Sequence, residues 1–282
     1  MSEPSAAAEP LRLGISTCPN DTFAFHGLLS GATNDAELNL ALELHDVQTL
    51  NELFRSGTLD AAKVSFAALL DLAHDVWVLP VGAALGEGVG PVVLASPRAD
   101  AADVVLAPGE FTTANLLWRM FHPRGPAAQQ VVFSQIMPAL ARGDARLGVC
   151  IHEGRFTYAQ HGLVLHEDLG ERWERRTGAA LPLGGIAVRR SLGRERATRL
   201  IRAIESSLAL ARSEPNGALA TMRRHAQEHS DAVLLQHVEL YVTAETERMS
   251  ERGEHALREL SRRALEAGCV PSDAAPLTVL RP

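Results

Sequence analysis

Lys63 is the only lysine in a chain of 282 residues whose other 26 Lys or Arg positions are all arginine. It sits in AAKVSF, a strand-like segment, and is followed by Val64 and Ser65. A compact ammonium there suits a pocket that a planar guanidinium would not fit; the plainer reading is a leftover surface residue. A second cluster lies in RLGVCIHEGRFTY, where an apolar run breaks into His152, Glu153, Gly154 and Arg155. An imidazole, with an ordinary pKa near 6.5, is suited to taking a proton at neutral pH. Glu153 or Arg155 would orient the loop, with no direct chemistry expected from either. Two hydroxyl-rich stretches complete the set. STCPNDT offers Ser16, Asn20 and Thr22, and PGEFTTAN offers Thr112 and Thr113. Each stands just before a helical pattern, where hydroxyls and backbone N–H groups can hold an anion, although a threonine pair there more often serves as a cap.

The elements that must position these residues alternate between short β-like runs and helical patterns, the signature of an α/β fold. LRLGIS, LALELHD, AAKVSF and VWVLPVGAAL read as four strands. Between them lie a helix after STCP that Asn20, Asp21 or Thr22 could cap, a helix VQTLNELFRSG that Asp46 could cap, and a short buried helix AALLDLAH. GEGVGPVVLASP then joins strand to strand with no helix between, which suits a crossover between domains. DVVLAPG, QQVVFS, RLGVCIH and GLVLHEDL give a second set of strands, LPLGGIAVRR a return, and the chain beyond Ser191 is almost wholly helical. The order predicts a discontinuous first domain, residues 11–94 plus 186–282, and an inserted second domain, residues 95–185. Residues 1–10 are expected to be disordered. Such a pair is a two-lobed α/β architecture with a cleft between lobes and a helical C-terminal segment. Ligands of open α/β sheets collect at strand carboxyl ends, and the polar clusters above all fall at such ends.

The totals narrow the function. A formal charge of −7 argues against a broad nucleic-acid surface. MSEPSAAAEPLRLG has neither a basic region nor an apolar run, so no secretory signal is expected, and no stretch is long enough for membrane insertion. Cys18, Cys150 and Cys269 lack metal-type spacing, so reduced, inert thiols in a cytoplasm are expected. HAQEH, 225–229, spells a zinc motif, but it falls near a helix end with no further ligand-bearing segment evident. GEGVG precedes a strand rather than a helix and so fails as a dinucleotide fingerprint. No P-loop and no G-x-S-x-G elbow is present.

Taken together, STCPNDTFAFHGL, KVSFAAL, LGEGVGPVVLA, TTANLL, GVCIHEGRFTYAQHGL, RWERRTGAALPLGG and HAQEHSDAVLLQHV resemble the 1,4-dihydroxy-6-naphthoate synthase family of the futalosine route to menaquinone. The likeness runs in order from Leu11 to about Val242. It implies a type 2 periplasmic-binding-protein-like fold and a cytoplasmic, cofactor-free lyase. The substrate it implies is a small anionic compound, cyclic dehypoxanthinylfutalosine, cleaved to 1,4-dihydroxy-6-naphthoate and a three-carbon sugar fragment. The family's catalytic base carries over to His152, and its substrate-binding segments to Lys63, Val64, Ser65, Thr112 and Thr113. Ser16, Asn20 and Thr22 would complete the opposite wall. Thr17, Val64 and Gly154 depart from the family pattern, but none removes a group the chemistry requires. No metal is implied, and a homodimer is compatible with the sequence without being specified by it. The rival readings are chorismate dehydratase of the same pathway, a solute-binding protein of the same fold, and a cytoplasmic regulator that binds a metabolite without turnover.

Overall fold

The computed structural model of the chain describes residues 9–97, 104–152, 154–226 and 230–281. The first strand, β1 (Leu11–Ser16), lies between β2 (Leu40–His45) and β3 (Ala61–Ser65), parallel to both. β4 (Val76–Val78) and β5 (Ala84–Gly86) complete this part of the chain. A second sheet is formed by β6 (Val92–Ala95), β7 (Val105–Ala107), β8 (Gln129–Gln130), β9 (Leu147–Cys150) and β10 (Val164–Asp168), in the order β10-β6-β9-β7-β8. The long β11 (Leu181–Arg189) then returns to the first sheet, where it runs antiparallel to β3, β4 and β5. The first sheet therefore has the order β2-β1-β3-β11-β4, with β5 also on β11.

The changes of sheet come slightly earlier than the sequence suggests. Residues 94/95 fall inside β6 and residues 185/186 inside β11, so the chain crosses over at 87–91 and again before Leu181. Glycine explains the first crossing, because a Cβ on Gly90 would lie 2.8 Å from the Gly170 backbone. Expected disorder at residues 1–10 concerns residues that lie, up to residue 8, outside those described.

Most helices follow their local signals. Asp46 caps the helix Val47–Arg55 by accepting from the backbone N–H groups of Gln48 and Thr49. Thr112 caps Thr113–Phe121 through Asn115, and Gly143, at φ 85°, ends Phe133–Arg142. Three segments differ. VWVLPVGAAL is not one strand; it divides into β4 and β5 around Pro80, which has no N–H to donate, and Gly82, which turns at φ 78°. AALLDLAH forms only the 3₁₀ turn Phe66–Leu69. The first helix, Pro19–Ala24, has Cys18 at its cap position with no side-chain bond. Pro19 opens it, at a position where a missing N–H costs nothing, so Asp21 is left for other work.

Packing fixes the two sheets against each other. One buried cluster takes Val64 and Phe66 from the first sheet's side together with Val93, Val105 and Val149 of the second, and Trp173 closes it. The Trp173 indole donates to the Ala180 carbonyl at 3.1 Å, so this buried polar group is satisfied. A second cluster sets β1 and β11 against the helix Arg194–Ser213, and a third sets β6 and β9 against Phe133–Arg142. Among the described residues no helix is long and apolar enough to cross a membrane.

Candidate active site

The carboxyl ends of β1, β3 and β9 open into one cleft. Lys63, Val64 and Ser65 line it from β3, Ser16 and Asn20 from the end of β1, Thr112 and Thr113 from the second sheet's side, and His152 from the end of β9. The carboxylate at its centre was not singled out by the sequence. Asp21 Oδ1 accepts from Lys63 Nζ at 2.5 Å and from Asn20 Nδ2 at 2.9 Å, and its Oδ2 accepts from Ser16 at 2.6 Å. Both members of the Lys63–Asp21 pair are buried. The lone ammonium is thus compensated within the protein and meets the cleft as a paired donor.

This pairing redefines the wall expected from Ser16, Asn20 and Thr22. Ser16 spends its proton on Asp21 and accepts from the Cys18 N–H at 3.2 Å. Asn20 spends both ends of its amide, one on Asp21 and one on His237. Thr22 is a correction: it is fully buried and does not line the cleft, because its hydroxyl donates back to the Cys18 carbonyl at 3.1 Å. Ser65 is held by Asn51, which donates to its hydroxyl at 3.3 Å and accepts from its N–H at 2.9 Å. Val64 packs its side chain into the core between the two polar residues, as strand alternation requires. Across from β3, a Cβ on Gly184 would stand 2.7 Å from the Val64 carbonyl, so only glycine lets β11 pass so closely beside the site.

The second sheet contributes differently. Thr112 donates to the Gly109 carbonyl at 2.8 Å while capping its helix, and Thr113 donates to the Leu183 carbonyl at 2.8 Å. Both hydroxyls therefore hold backbone, and their lone pairs and the helix's first N–H groups are what they can offer a ligand. His152 leaves β9 in the left-handed region, at φ 56°, a conformation uncommon outside glycine and associated with functional turns. Its ring lies with Cys18 Sγ 3.6 Å from Nε2 and 3.8 Å from Nδ1, and with the ring centroids of Phe133 and His237 5.1 and 6.1 Å from its own. Arg155 ties down the following turn by donating to the Gly88 and Gly90 carbonyls at 3.1 Å each and pairing with Asp168 at 2.6 Å. Glu153, the alternative for that work, lies outside the described residues.

His237 and Tyr241 also line the cleft, both from the helix Asp231–Tyr241. Burial, reinforced by His152 and Lys63, pushes the His237 pKa down to about 3 from an ordinary 6.5, so the ring is neutral at pH 7. Sequence spacing gives no access to this residue, which meets Asn20 across 217 positions; its one signal is an imidazole on the inner side of a largely apolar helix. Of the cysteines, Cys150 is inert, its thiol pushed up to about 12 by burial. Cys18, by contrast, stands in the cleft against His152. Among the described residues no group of three or more His, Cys, Asp or Glu side chains is placed to hold a metal. Residues 227–229 of the HAQEH string lie outside the described residues.

Two α/β sheets with a cleft at their strand ends define the class, a periplasmic-binding-protein-like fold. The likeness is measurable: an alkanesulfonate-binding protein from Xanthomonas axonopodis pv. citri superposes with a TM-score of 0.69 at 11% identity, over 95% of this chain and 96% of that one. A crystallised Archaeoglobus fulgidus protein superposes with a TM-score of 0.86 at 28% identity, over 94% of this chain and all of its own. The menaquinone biosynthesis family model matches residues 11–266, and the chain belongs to that family. Two relatives bear the name 1,4-dihydroxy-6-naphthoate synthase. The one from Thermus thermophilus is 41% identical over 96% of this chain and all of its own length. The one from Streptomyces coelicolor is 40% identical over 94% of this chain and 96% of its own. The protein is an enzyme of menaquinone biosynthesis.

Proposed function

We infer that the enzyme is a carbon–carbon lyase that converts cyclic dehypoxanthinylfutalosine to 1,4-dihydroxy-6-naphthoate, with His152 as the general base. The observation that carries this reading is the meeting of His152, Lys63, Ser65, Thr112 and Thr113 around one cleft. Cleavage of a sugar-derived ring needs a proton removed from a hydroxyl or carbon acid, and an imidazole at a strand tip can take it. Lys63, Val64, Ser65, Thr112 and Thr113 hold the anionic substrate. Lys63 does so while paired with Asp21, so it contributes directed N–H donation more than net charge. Ser16 and Asn20 serve by fixing Asp21. Aromatisation of the product supplies driving force, so the reading calls for no cofactor, and it places the enzyme in the cytoplasm without nucleic-acid partners.

The test is product formation. The purified chain is incubated with the cyclic futalosine derivative and, separately, with chorismate, and products are followed by mass detection. Dihydroxynaphthoate from the first and nothing from the second is expected. Turnover of chorismate instead would replace this reading by the dehydratase, and ligand binding without turnover of either would make the protein a metabolite-binding regulator.

A further inference from the structure

Asn20 is the hinge of a hydrogen-bonded chain that decides where His237 carries its proton. The Asp21 carboxylate can only accept, so the Asn20 amide must turn its Nδ2 toward it, as the 2.9 Å contact records. That leaves Asn20 Oδ1, an acceptor, facing His237 Nε2 at 3.1 Å. The ring nitrogen there must donate, and the ring is neutral. Its other nitrogen, Nδ1, is then a bare lone pair on a buried residue that lines the cleft, and none of the described residues bonds to it. The ring is also held in place, with Tyr241 4.7 Å away on one side and His152 6.1 Å away on another. Moving the proton from Nε2 to Nδ1 would bring two acceptors together at Asn20.

We propose that His237 is a second substrate-contacting imidazole, whose Nδ1 lone pair accepts a hydrogen bond from a hydroxyl group of the ligand in the cleft. A protein that builds three side-chain bonds to fix one tautomer presents a specific acceptor, and a hydroxylated ring brings the donor that matches it. This gives the two histidines separate tasks. His152 removes a proton, while His237 holds a hydroxyl and keeps its own protonation unchanged. That the hydroxyl belongs to the sugar-derived ring of the cyclic futalosine compound rests on the function proposed above; the tautomer does not.

The test has two arms. In the first, ¹⁵N spectra of the ligand-free protein at pH 7 are expected to place the His237 proton on Nε2, and addition of the cyclic compound is expected to move the Nδ1 resonance. A proton on Nδ1, or an Nδ1 resonance unmoved by bound ligand, overturns the proposal. In the second, His237→Gln keeps a donor toward Asn20 but has no counterpart of Nδ1. Its kcat/KM is expected to fall roughly tenfold, the value of one hydrogen bond, at unchanged melting temperature. His237→Asn, whose amide reaches the Nδ1 position, is expected to keep more activity than His237→Gln. Activity of His237→Gln equal to wild type, or equal loss in both variants, overturns the proposal. Should neither variant fold, the spectra of the wild-type protein decide alone. A wild-type protein that fails to turn over the compound counts against the proposed reaction only, since the tautomer and the ligand-induced shift are read without catalysis.

Discussion

On the first sheet's side of the cleft, one carboxylate organises everything near it, with Asp21 bound to Lys63, Ser16 and Asn20 at once. On the other side, His152 stands at a strand tip in a left-handed backbone conformation, touched by a thiol and two aromatic rings. The first wall is a connected polar network, the kind that holds its donors rigidly. The second holds its threonines by backbone bonds and places one imidazole at the lining of the cleft. A rigid binding wall facing a single proton acceptor is the division of labour that a proton-transfer enzyme needs.

The contrast can be broken most strongly at Asp21. Asp21→Ala would leave the buried Lys63 ammonium without its partner, and such losses cost about 3–5 kcal/mol. Urea unfolding is expected to show a loss of that order, and Asp21→Asn combined with Lys63→Met is expected to recover part of it. A loss below about 1 kcal/mol would mean that the pair is relaxed by solvent and that the two walls are alike.

His237 extends the same wall and gives it a pH signature. The folded ring binds a proton only near about 3, the unfolded one near 6.5, so unfolding takes up a proton between those values. Stability from this residue is therefore complete above pH 6.5 and falls as the pH drops below it, by up to about 1.4 kcal/mol per pH unit. Comparing unfolding free energies of wild type and His237→Gln from pH 7 to pH 5 checks this; the variant is expected to show the shallower fall. The smallest effect belongs to the second wall. Thr112→Ala removes a helix cap and is expected to cost about 1 kcal/mol in the same unfolding measurement.

What the sequence made legible follows from range. β1, β2, β3 and β9 are apolar runs with local boundaries, and the caps at Asp46 and Thr112 act within three residues of themselves. Lys63 and His152 could be singled out because their types are anomalous in such strands. Asp21 could not, since within its own helix it looks like a cap, and the partner that defines it lies 42 residues away. His237 was hidden for the same reason at greater distance. Thr22 misled because a hydroxyl in the first turn of a helix can face a ligand or its own backbone, and here it chose the Cys18 carbonyl. The resemblance that the motifs carried extended to the family, while the internal pairing of Lys63 needed the fold.

His152→Asn measures the central claim most directly, because asparagine tolerates the left-handed backbone that His152 occupies. With the cyclic futalosine derivative as substrate and melting temperature as the control, kcat is expected to fall by about two to four powers of ten while the protein stays folded. Turnover within a few-fold of wild type in that folded variant would contradict the account.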